Sequence, residues 1–214
     1  MCPGYAKRHC FPGVAERIKD KNPNTKVIFC VRNPVHRALS HYRHKLANGN
    51  EDRNPNIALD PTIESSNHYL RCSEYAYQIQ PYIDFFGLSN IYVTTSQELR
   101  ESPQKTITEL FTHIGVPPIK LNVGESRHRS NAKRLPTWNW LYNPSRGVTP
   151  VKKIIRYLGK LFLPKRLHRK GPRIGDVNIP TLKSETVTAI QNYLQQDVNR
   201  LREITGKDFE NWNI

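Results

Sequence analysis

The chain has 214 residues, enough for one domain with a hydrophobic core, and its 33 Lys and Arg against 18 Asp and Glu give a net charge of +15. It contains no apolar run long enough to span a membrane and no secretory signal at its start, so the cytoplasm is the default compartment. So positive a charge attracts nucleic acid, anionic lipid, acidic glycans or phosphorylated nucleotides without choosing among them.

The first part of the chain predicts a helix, a strand and a second helix. Val14 to Ile18 forms a short helical segment. Lys26 to Val31 is a continuous β-branched and aromatic run, typical of a parallel strand buried on both faces, which places Cys30 in the interior. A helix is expected over Pro34 to Ala47, because proline is favoured at the first helical position, where its missing N–H needs no partner.

The middle of the chain predicts a loop, then a helix, a strand and a helix. Residues 49–66 are polar and contain prolines, so we expect a loop or lid. Ser73 to Phe86 carries apolar residues along one helical face, and Asn90 to Thr95 has the composition of a second strand. A further helix is expected to begin at Pro103 and to end at Gly115.

The last part of the chain predicts two more helices. Residues 120–150 have no strong periodicity, whereas Val151 to Phe162 is a basic amphipathic helix inside a basic segment, 151–173. A last apolar-faced helix is predicted from Pro180 to about Thr205. The alternation of strands and helices predicts an α/β fold with a parallel sheet. Because two strands are too few for such a sheet, part of it is missing or unrecognised.

Arg32 occupies the position at which a ligand is expected. It lies where a predicted buried strand ends and a helix begins, and ligands of open α/β sheets bind at that edge. Free N–H groups and a partial positive charge at the helix N-terminus favour an anion, which an arginine can bind through two parallel hydrogen bonds. Ser40 lies about two turns into the helix, within reach of a ligand that runs along it. On spacing alone, Arg32 could instead cap a carboxylate or lie in solvent, and Ser40 could bond back to a helix carbonyl.

The segment around Arg32 resembles the 3′-phosphate-binding segment of sulfotransferases that use 3′-phosphoadenylyl sulfate (PAPS), most closely the bacterial and heparan-sulfate-type branch. The similar residues after the strand are Arg32-Asn33-Pro34-Val35, Arg37-Ala38 and Ser40-His41-Tyr42. Flanking similarities, in chain order, are Pro3-Gly4-Tyr5, Pro12 to Arg17, Asn22 to Lys26, Ser73 to Ile79, Glu98-Leu99 with Pro103, Phe111 to Gly115, Asp197 to Leu201, Gly206 to Asp208, and Trp212. The resemblance therefore covers nearly the whole chain.

This resemblance implies a fold, a reaction and a set of binding residues. The fold would be the P-loop-type sulfotransferase fold, a central parallel sheet flanked by helices, with residues 1–214 forming the last two-thirds of a single domain. The reaction would move a sulfuryl group from PAPS to a hydroxyl or amine, with a carbohydrate as the closest match for the acceptor, and would release PAP without a metal. Arg32 and Ser40 would bind the 3′-phosphate, and Lys133 and Arg134 would belong to a basic loop over the nucleotide, although a merely solvated loop fits them equally well.

Two parts of the family pattern have no counterpart in this sequence. No Gly-rich turn with Lys-Ser or Lys-Thr, which would bind the 5′-phosphosulfate, precedes Val27, and the acidic general base of the heparan-type branch would also lie upstream of Tyr5. We therefore expect the first strand, this loop and the base to lie before Met1, and the present chain alone to bind nucleotide weakly and to transfer sulfate poorly. The catalytic residues are accordingly not assigned.

Other functions remain open at this stage. A basic module that binds polyanions or nucleic acid without catalysis is supported by charge alone, since no groove-reading motif is found, and a P-loop nucleoside kinase would need a Walker A loop. A zinc site on the helix with His36, His41 and His44 would need a clearer ligand set, and His41 is only a weak substitute for the base. The 151–173 segment could cover the core, bind an anionic glycan or lie peripherally on an anionic membrane surface.

Overall fold

The computed structural model describes residues 4–47, 50–64, 67–120 and 181–214. Its two described strands are β1 (Val27–Val31) and β2 (Ile91–Thr95). The helices are α1 (Val14–Lys21), α2 (Pro34–Ala47), α3 (Pro55–Ala58), α4 (Asn67–Arg71), α5 (Tyr75–Phe86), α6 (Glu98–Glu101), α7 (Pro103–Ile114) and α8 (Ser184–Thr205). Short 3-10 turns lie at Gly4–Ala6, Leu88–Asn90 and Glu210–Trp212. None of these helices combines the length and apolarity needed to cross a membrane.

The described residues fall into two compact units. The first holds Ala38–Tyr69 and residues 181–190, and the second holds residues 4–37, 70–120 and Gln191–Ile214. In the first unit, Tyr42 and Leu46 of α2 and Leu59 after α3 are buried, and the Tyr42 hydroxyl donates to the carbonyl oxygen of Arg53 at 2.8 Å. This bond anchors the chain that follows α2 back onto the helix.

The second unit is built on the parallel pair of β1 and β2. The register pairs Val27 with Ile91 and Val31 with Thr95. A parallel pair needs a long crossover connection, which the intervening helices supply, and α5 packs against both strands and α1. The buried core of this unit consists of Ala15, Val31, Tyr75, Ala76, Ile79, Tyr82, Phe86, Ile91, Val93, Val198, Leu201, Phe209 and Trp212.

The burial of β1 corrects one expectation. Side chains alternate along β1 between half-buried and exposed until Val31, so the prediction of a strand buried on both faces is wrong for this strand. Ile28 is 40% exposed, and Cys30, which was predicted to be interior, is exposed as well. A continuous apolar run does not by itself distinguish a strand covered on two faces from one covered on a single face.

Three short helices, α3, α4 and α6, were not predicted. The interval 49–66 was expected to be a loop, but it contains α3, and α4 precedes the predicted helix, which begins at Tyr75 rather than Ser73. The Asn54 side chain caps α3 by accepting from the amide of Asn56 at 2.9 Å. The predicted strands and the helices α1, α2, α5, α7 and α8 are otherwise confirmed. The predicted Val151 to Phe162 helix lies outside the described residues.

Candidate functional site

Arg32 directly follows the carboxyl end of β1. Val31, only 1% exposed, pairs with Thr95, and the amide of Ser96 donates to the Val31 carbonyl oxygen at 2.7 Å, which extends the ladder to the end of both strands. The predicted position of Arg32, at the edge of a parallel pair where ligands of α/β folds bind, is therefore confirmed for the described strands.

The backbone of Arg32 is held by Tyr75, the first residue of α5. The Tyr75 hydroxyl donates to the Arg32 carbonyl oxygen at 3.0 Å, and the Arg32 amide lies 3.4 Å from the same hydroxyl oxygen. Tyr75 is 8% exposed, so its ring is fixed in the core. The sequence predicted a helix with one apolar face over Ser73 to Phe86, but it did not predict that the Tyr75 hydroxyl fixes the strand end.

The N-terminus of α2 is more fully occupied than the sequence predicted. The Asn33 side chain accepts from the amide of His36 at 3.1 Å, as an N-cap residue does, and donates to the carbonyl oxygen of Trp212 at 2.9 Å. Pro34 has no N–H. Fewer backbone donors therefore remain for an anion at the helix tip, which favours a ligand that lies beside the helix over one placed end-on.

The Arg32 side chain extends alongside the first turns of α2. It is half-buried, and its Nη2 atom lies 3.4 Å from the carbonyl oxygen of Arg37, within α2. Arg37 lies about one helical turn before Ser40. A side chain directed at this carbonyl therefore reaches past the helix tip and along the first turns.

Arg37 is a buried arginine that was not predicted to be a binding residue. Its side chain is 7% exposed, and its Nη1 atom lies 3.4 Å from the Ser73 hydroxyl, which is fully buried. A buried guanidinium is uncommon because desolvation of the charge is costly. The sequence feature that could have identified Arg37 is its position, about one turn into a helix that follows Arg32 at the end of a strand.

The other predicted binding residues are placed as follows. Ser40 is half-buried on α2 and belongs to the first unit, whereas Arg32 precedes α2 and belongs to the second unit. Lys133, Arg134 and the 151–173 segment lie outside the described residues. Among the histidines of α2, His41 packs against other rings, 5.2 Å from His68 and 5.0 Å from Tyr69 between centroids.

Comparison with known proteins identifies the family. The family model of the sulfotransferase domain matches residues 9–139, more than half of the chain and including the whole β1–α2 segment. This chain belongs to the sulfotransferase domain family. A crystal structure of a sulfotransferase from Alicyclobacillus acidocaldarius is similar in fold, with a TM-score of 0.61 at 18% identity, over 97% of this chain and 65% of that one. The expected α/β sulfotransferase fold is thereby confirmed.

Curated relatives of this sulfotransferase-family chain include human heparan sulfate glucosamine 3-O-sulfotransferase 5, which is 23% identical over 93% of the chain and 52% of the relative. Human heparan sulfate glucosamine 3-O-sulfotransferase 6 is 24% identical over 90% of the chain and 51% of the relative. The chain thus spans about half the length of the curated relatives that it matches.

Proposed function

We propose that this protein binds PAPS with the 3′-phosphate beside the first turns of α2, and that its sulfuryl group passes to a hydroxyl or amine of a carbohydrate. The acceptor oxygen or nitrogen gains the sulfuryl group and loses its proton, and PAP leaves. The family supports the reaction, and the heparan sulfate enzymes among the relatives support a carbohydrate acceptor.

The observation that carries the proposal is the placement of Arg32. Its backbone is fixed at the end of β1 by the Tyr75 hydroxyl, and its guanidinium is directed along α2 toward the Arg37 carbonyl. A guanidinium has five N–H donors, and its fork matches two oxygens of a phosphate. The contact with the Arg37 carbonyl is long, at 3.4 Å, so a phosphate would replace it at small cost.

Ser40 is proposed as the second ligand of the same phosphate. It lies about one turn beyond Arg37 on α2, a spacing that suits a phosphate that runs along the helix. A hydroxyl can donate to a phosphate oxygen while Arg32 supplies the charge. Lys133 and Arg134 stay predictions as further nucleotide-binding residues.

The test compares nucleotides that differ only in the 3′-phosphate. Thermal unfolding of the purified chain is followed with PAP and with AMP, since a ligand that binds only the folded state stabilises it by about 2.7 kcal/mol at a hundredfold excess over Kd. PAP should raise Tm and AMP should raise it much less. Arg32→Ala should remove the difference, and Ser40→Ala should reduce PAP affinity about tenfold, as expected for a hydrogen bond to a charged group.

Arg200→Ala is the matched control, because it removes the same charge from an exposed position of α8. It should leave the PAP response unchanged. Equal stabilisation by PAP and AMP, or equal losses in Arg32→Ala and Arg200→Ala, would reduce the binding to general charge attraction and would favour a non-catalytic polyanion-binding module. Transfer of labelled sulfate from PAPS to a glucosamine-containing oligosaccharide then tests the reaction itself.

A further inference from the structure

Two arginines from distant parts of the chain contact one tyrosine ring on the surface of the second unit. The guanidinium carbon of Arg8 lies 4.6 Å from the centroid of the Tyr77 ring, and that of Arg71 lies 5.5 Å from it. Cation–π contacts of this length are attractive and favour arginine because its planar group can lie against the ring. Arg8, Arg71 and Tyr77 are hereafter called the arginine pair site.

The arginine pair site is anchored by a buried glutamine. The Gln78 side chain, 1% exposed, accepts from the Arg8 amide at 2.8 Å and donates to the Arg71 carbonyl oxygen at 2.8 Å. The Arg8 Nη1 atom also donates to the Tyr77 carbonyl oxygen at 3.3 Å. The buried Gln78 side chain therefore fixes the backbone of both arginines. The distance between the two backbone segments is set by this core residue.

Both guanidinium groups retain donors that can bind a ligand. Arg8 is exposed, and the Arg71 side chain is 45% exposed. Within the described part of the chain, Arg71 bonds to the Glu74 carboxylate at 3.2 Å, and Arg8 bonds to the Tyr77 carbonyl oxygen. Each guanidinium has five N–H donors and these bonds use one donor of each, so further donors are available to an anion at this exposed surface.

The acidic group beside the site is already engaged. Glu74 is 9% exposed and accepts from the Tyr193 hydroxyl at 2.7 Å in addition to its bond with Arg71. A second carboxylate, Asp197, is half-buried and accepts from the Tyr77 amide at 2.8 Å. The other neighbouring charges are basic: burial and then the charge of Arg71 lower the pKa of His9, with Lys7 and Arg37 acting in the same direction and Glu74 against them. An anion at this surface therefore meets mainly cationic groups.

We propose that the arginine pair site binds a sulfate or carboxylate group of an acidic glycan. The inference rests on the proposed function, whose acceptor is a carbohydrate, and it adds that the acceptor carries charged groups. Planar guanidinium groups bind such oxyanions through paired hydrogen bonds. A single-stranded nucleic acid is a poorer match, because its bases need open aromatic faces for stacking, whereas the Tyr77 ring is half-buried and contacts two guanidinium groups.

The experiment measures binding of a heparin-derived hexasaccharide by calorimetry, without nucleotide, at near-physiological salt. The double variant Arg8→Gln with Arg71→Gln should lose at least about tenfold in affinity, because two charge-assisted contacts are removed. The control double variant, Arg17→Gln with Arg200→Gln, removes equal charge at exposed positions of α1 and α8 and should lose less than about threefold. A desulfated and carboxyl-reduced hexasaccharide should bind both double variants and the native protein equally weakly.

Arg8→Gln alone is a second variant, since Arg71→Gln also removes the partner of the buried Glu74. It should still weaken hexasaccharide binding by about threefold or more, with an unchanged Tm. Equal losses in the two double variants would overturn the site in favour of diffuse charge, and a native protein that does not bind the hexasaccharide would overturn it as well. A selective loss of single-stranded DNA binding, without hexasaccharide binding, would assign the pair to nucleic acid instead.

The PAP response separates this inference from the proposed function. The arginine pair variants should keep the full difference between PAP and AMP in thermal unfolding, because Arg8 and Arg71 are not part of the Arg32 site. If PAP and AMP stabilise the native protein equally, the proposal that PAPS is the donor is wrong. If the arginine pair variants bind the hexasaccharide as tightly as the native protein does, only the proposed glycan subsite is wrong, and the proposed donor site is unaffected.

Discussion

The hydroxyl of Tyr75 lies 3.0 Å from the carbonyl oxygen of Arg32 and ties the first residue of α5 to the end of β1. This bond joins two segments separated by 43 positions. The same tyrosine ring lies 5.9 Å from the ring of Trp212, whose carbonyl oxygen accepts from Asn33. The chain at Arg32 is therefore held at two consecutive residues: Tyr75 bonds to the Arg32 carbonyl, and Asn33 bonds to Trp212.

Replacement of this hydroxyl should weaken nucleotide binding. In Tyr75→Phe the part-buried carbonyl of Arg32 loses this hydrogen bond, which should cost about 1 kcal/mol of folding free energy and lower PAP affinity about fivefold. The control is Tyr82→Phe, since Tyr82 is also buried and its hydroxyl donates to the carbonyl oxygen of Tyr5 at 2.7 Å. Chemical unfolding and PAP titration of both variants are the measurements. We expect the two variants to lose similar stability, and only Tyr75→Phe to lose PAP affinity. Equal PAP affinities of Tyr75→Phe and Tyr82→Phe would mean that the role of Tyr75 is purely structural.

Glu98 organises the chain after β2 through several bonds at once. Its carboxylate accepts from the Thr94 hydroxyl and the Thr95 amide, both at 2.8 Å, while its own amide donates to the Thr95 hydroxyl at 2.9 Å. The reciprocal Thr95–Glu98 pair is a capping box. Lys207 adds an ion pair at 2.7 Å, although its side chain is 33% exposed and that of Glu98 is 40% exposed.

We expect the capping bonds to matter more than the ion pair. Glu98→Ala should destabilise the fold by about 2 kcal/mol, because a capping interaction and a threonine partner are lost together. Lys207→Ala should cost less than about 1 kcal/mol, as is usual for exposed ion pairs. Urea unfolding of the two single variants and the double variant gives both values and their coupling. A Lys207→Ala loss as large as that of Glu98→Ala would make the ion pair the dominant interaction.

The elements that the sequence predicted are those specified by local signals. Pro34 after an apolar run gave the start of α2, and Gly115, with a φ of 78°, ends α7 in the left-handed conformation that glycine favours. By contrast, α3 depends on contacts distant in the chain, since the Asn56 side chain donates to the Thr181 carbonyl oxygen and accepts from the Lys183 amide. A polar interval such as 49–66 contains no local pattern that would predict these bonds.

The same distinction applies to the candidate site. The position of Arg32 followed from a strand that meets a proline-initiated helix, which local sequence specifies. The roles of Tyr75 and Arg37 depend on which side chains the fold brings to the strand end, and no periodicity encodes this. Nor did the sequence predict that Asn33 would bond to the His36 amide, because an asparagine before Pro34 can also act as a turn residue.

Glu51 is a buried carboxylate held by three neighbouring groups. It is 6% exposed, pairs with Arg53 at 2.7 Å, and accepts from the Tyr69 hydroxyl at 2.6 Å and the Asp52 amide at 2.9 Å. Burial acts to raise its pKa, but the hydrogen bonds from Arg53 and Tyr69 outweigh burial and lower the pKa to about 2. The folded state therefore favours the ionised form.

This shift should make the protein sensitive to acid. A carboxyl whose pKa is lowered on folding stabilises the fold above its ordinary pKa of 4.5, and this contribution is lost as the pH falls toward about 2. It amounts to about 3 kcal/mol, so Glu51→Gln should be less stable than the native protein at pH 7 and nearly as stable near pH 2.5. Urea unfolding across this range is the measurement, with Glu185→Gln, an exposed position of α8, as the control. A pH-independent difference between the native protein and Glu51→Gln would contradict the assignment.

Asp197 should produce the opposite pH dependence. Its carboxylate, on α8, accepts from the amides of Tyr77 at 2.8 Å and Ala76 at 3.0 Å and so caps the first turn of α5. Burial raises the pKa of Asp197 to about 6 from an ordinary value of 3.8, although these amides act to lower it. The folded state therefore binds the proton more tightly than the unfolded state, and the contribution of Asp197 to stability falls as the pH rises from about 4 to about 6.

Asp197→Asn removes this titration while it keeps the shape of the side chain. The stability of the native protein relative to Asp197→Asn should fall by about 2 kcal/mol between pH 4 and pH 6.5 and then stay level. Urea unfolding of both proteins across this interval is the measurement, and Asp84→Asn, an exposed position of α5, should show no such slope. If the relative stability rose with pH instead, the two amides of α5 would outweigh burial, and the ionised carboxylate would be the form that the fold stabilises.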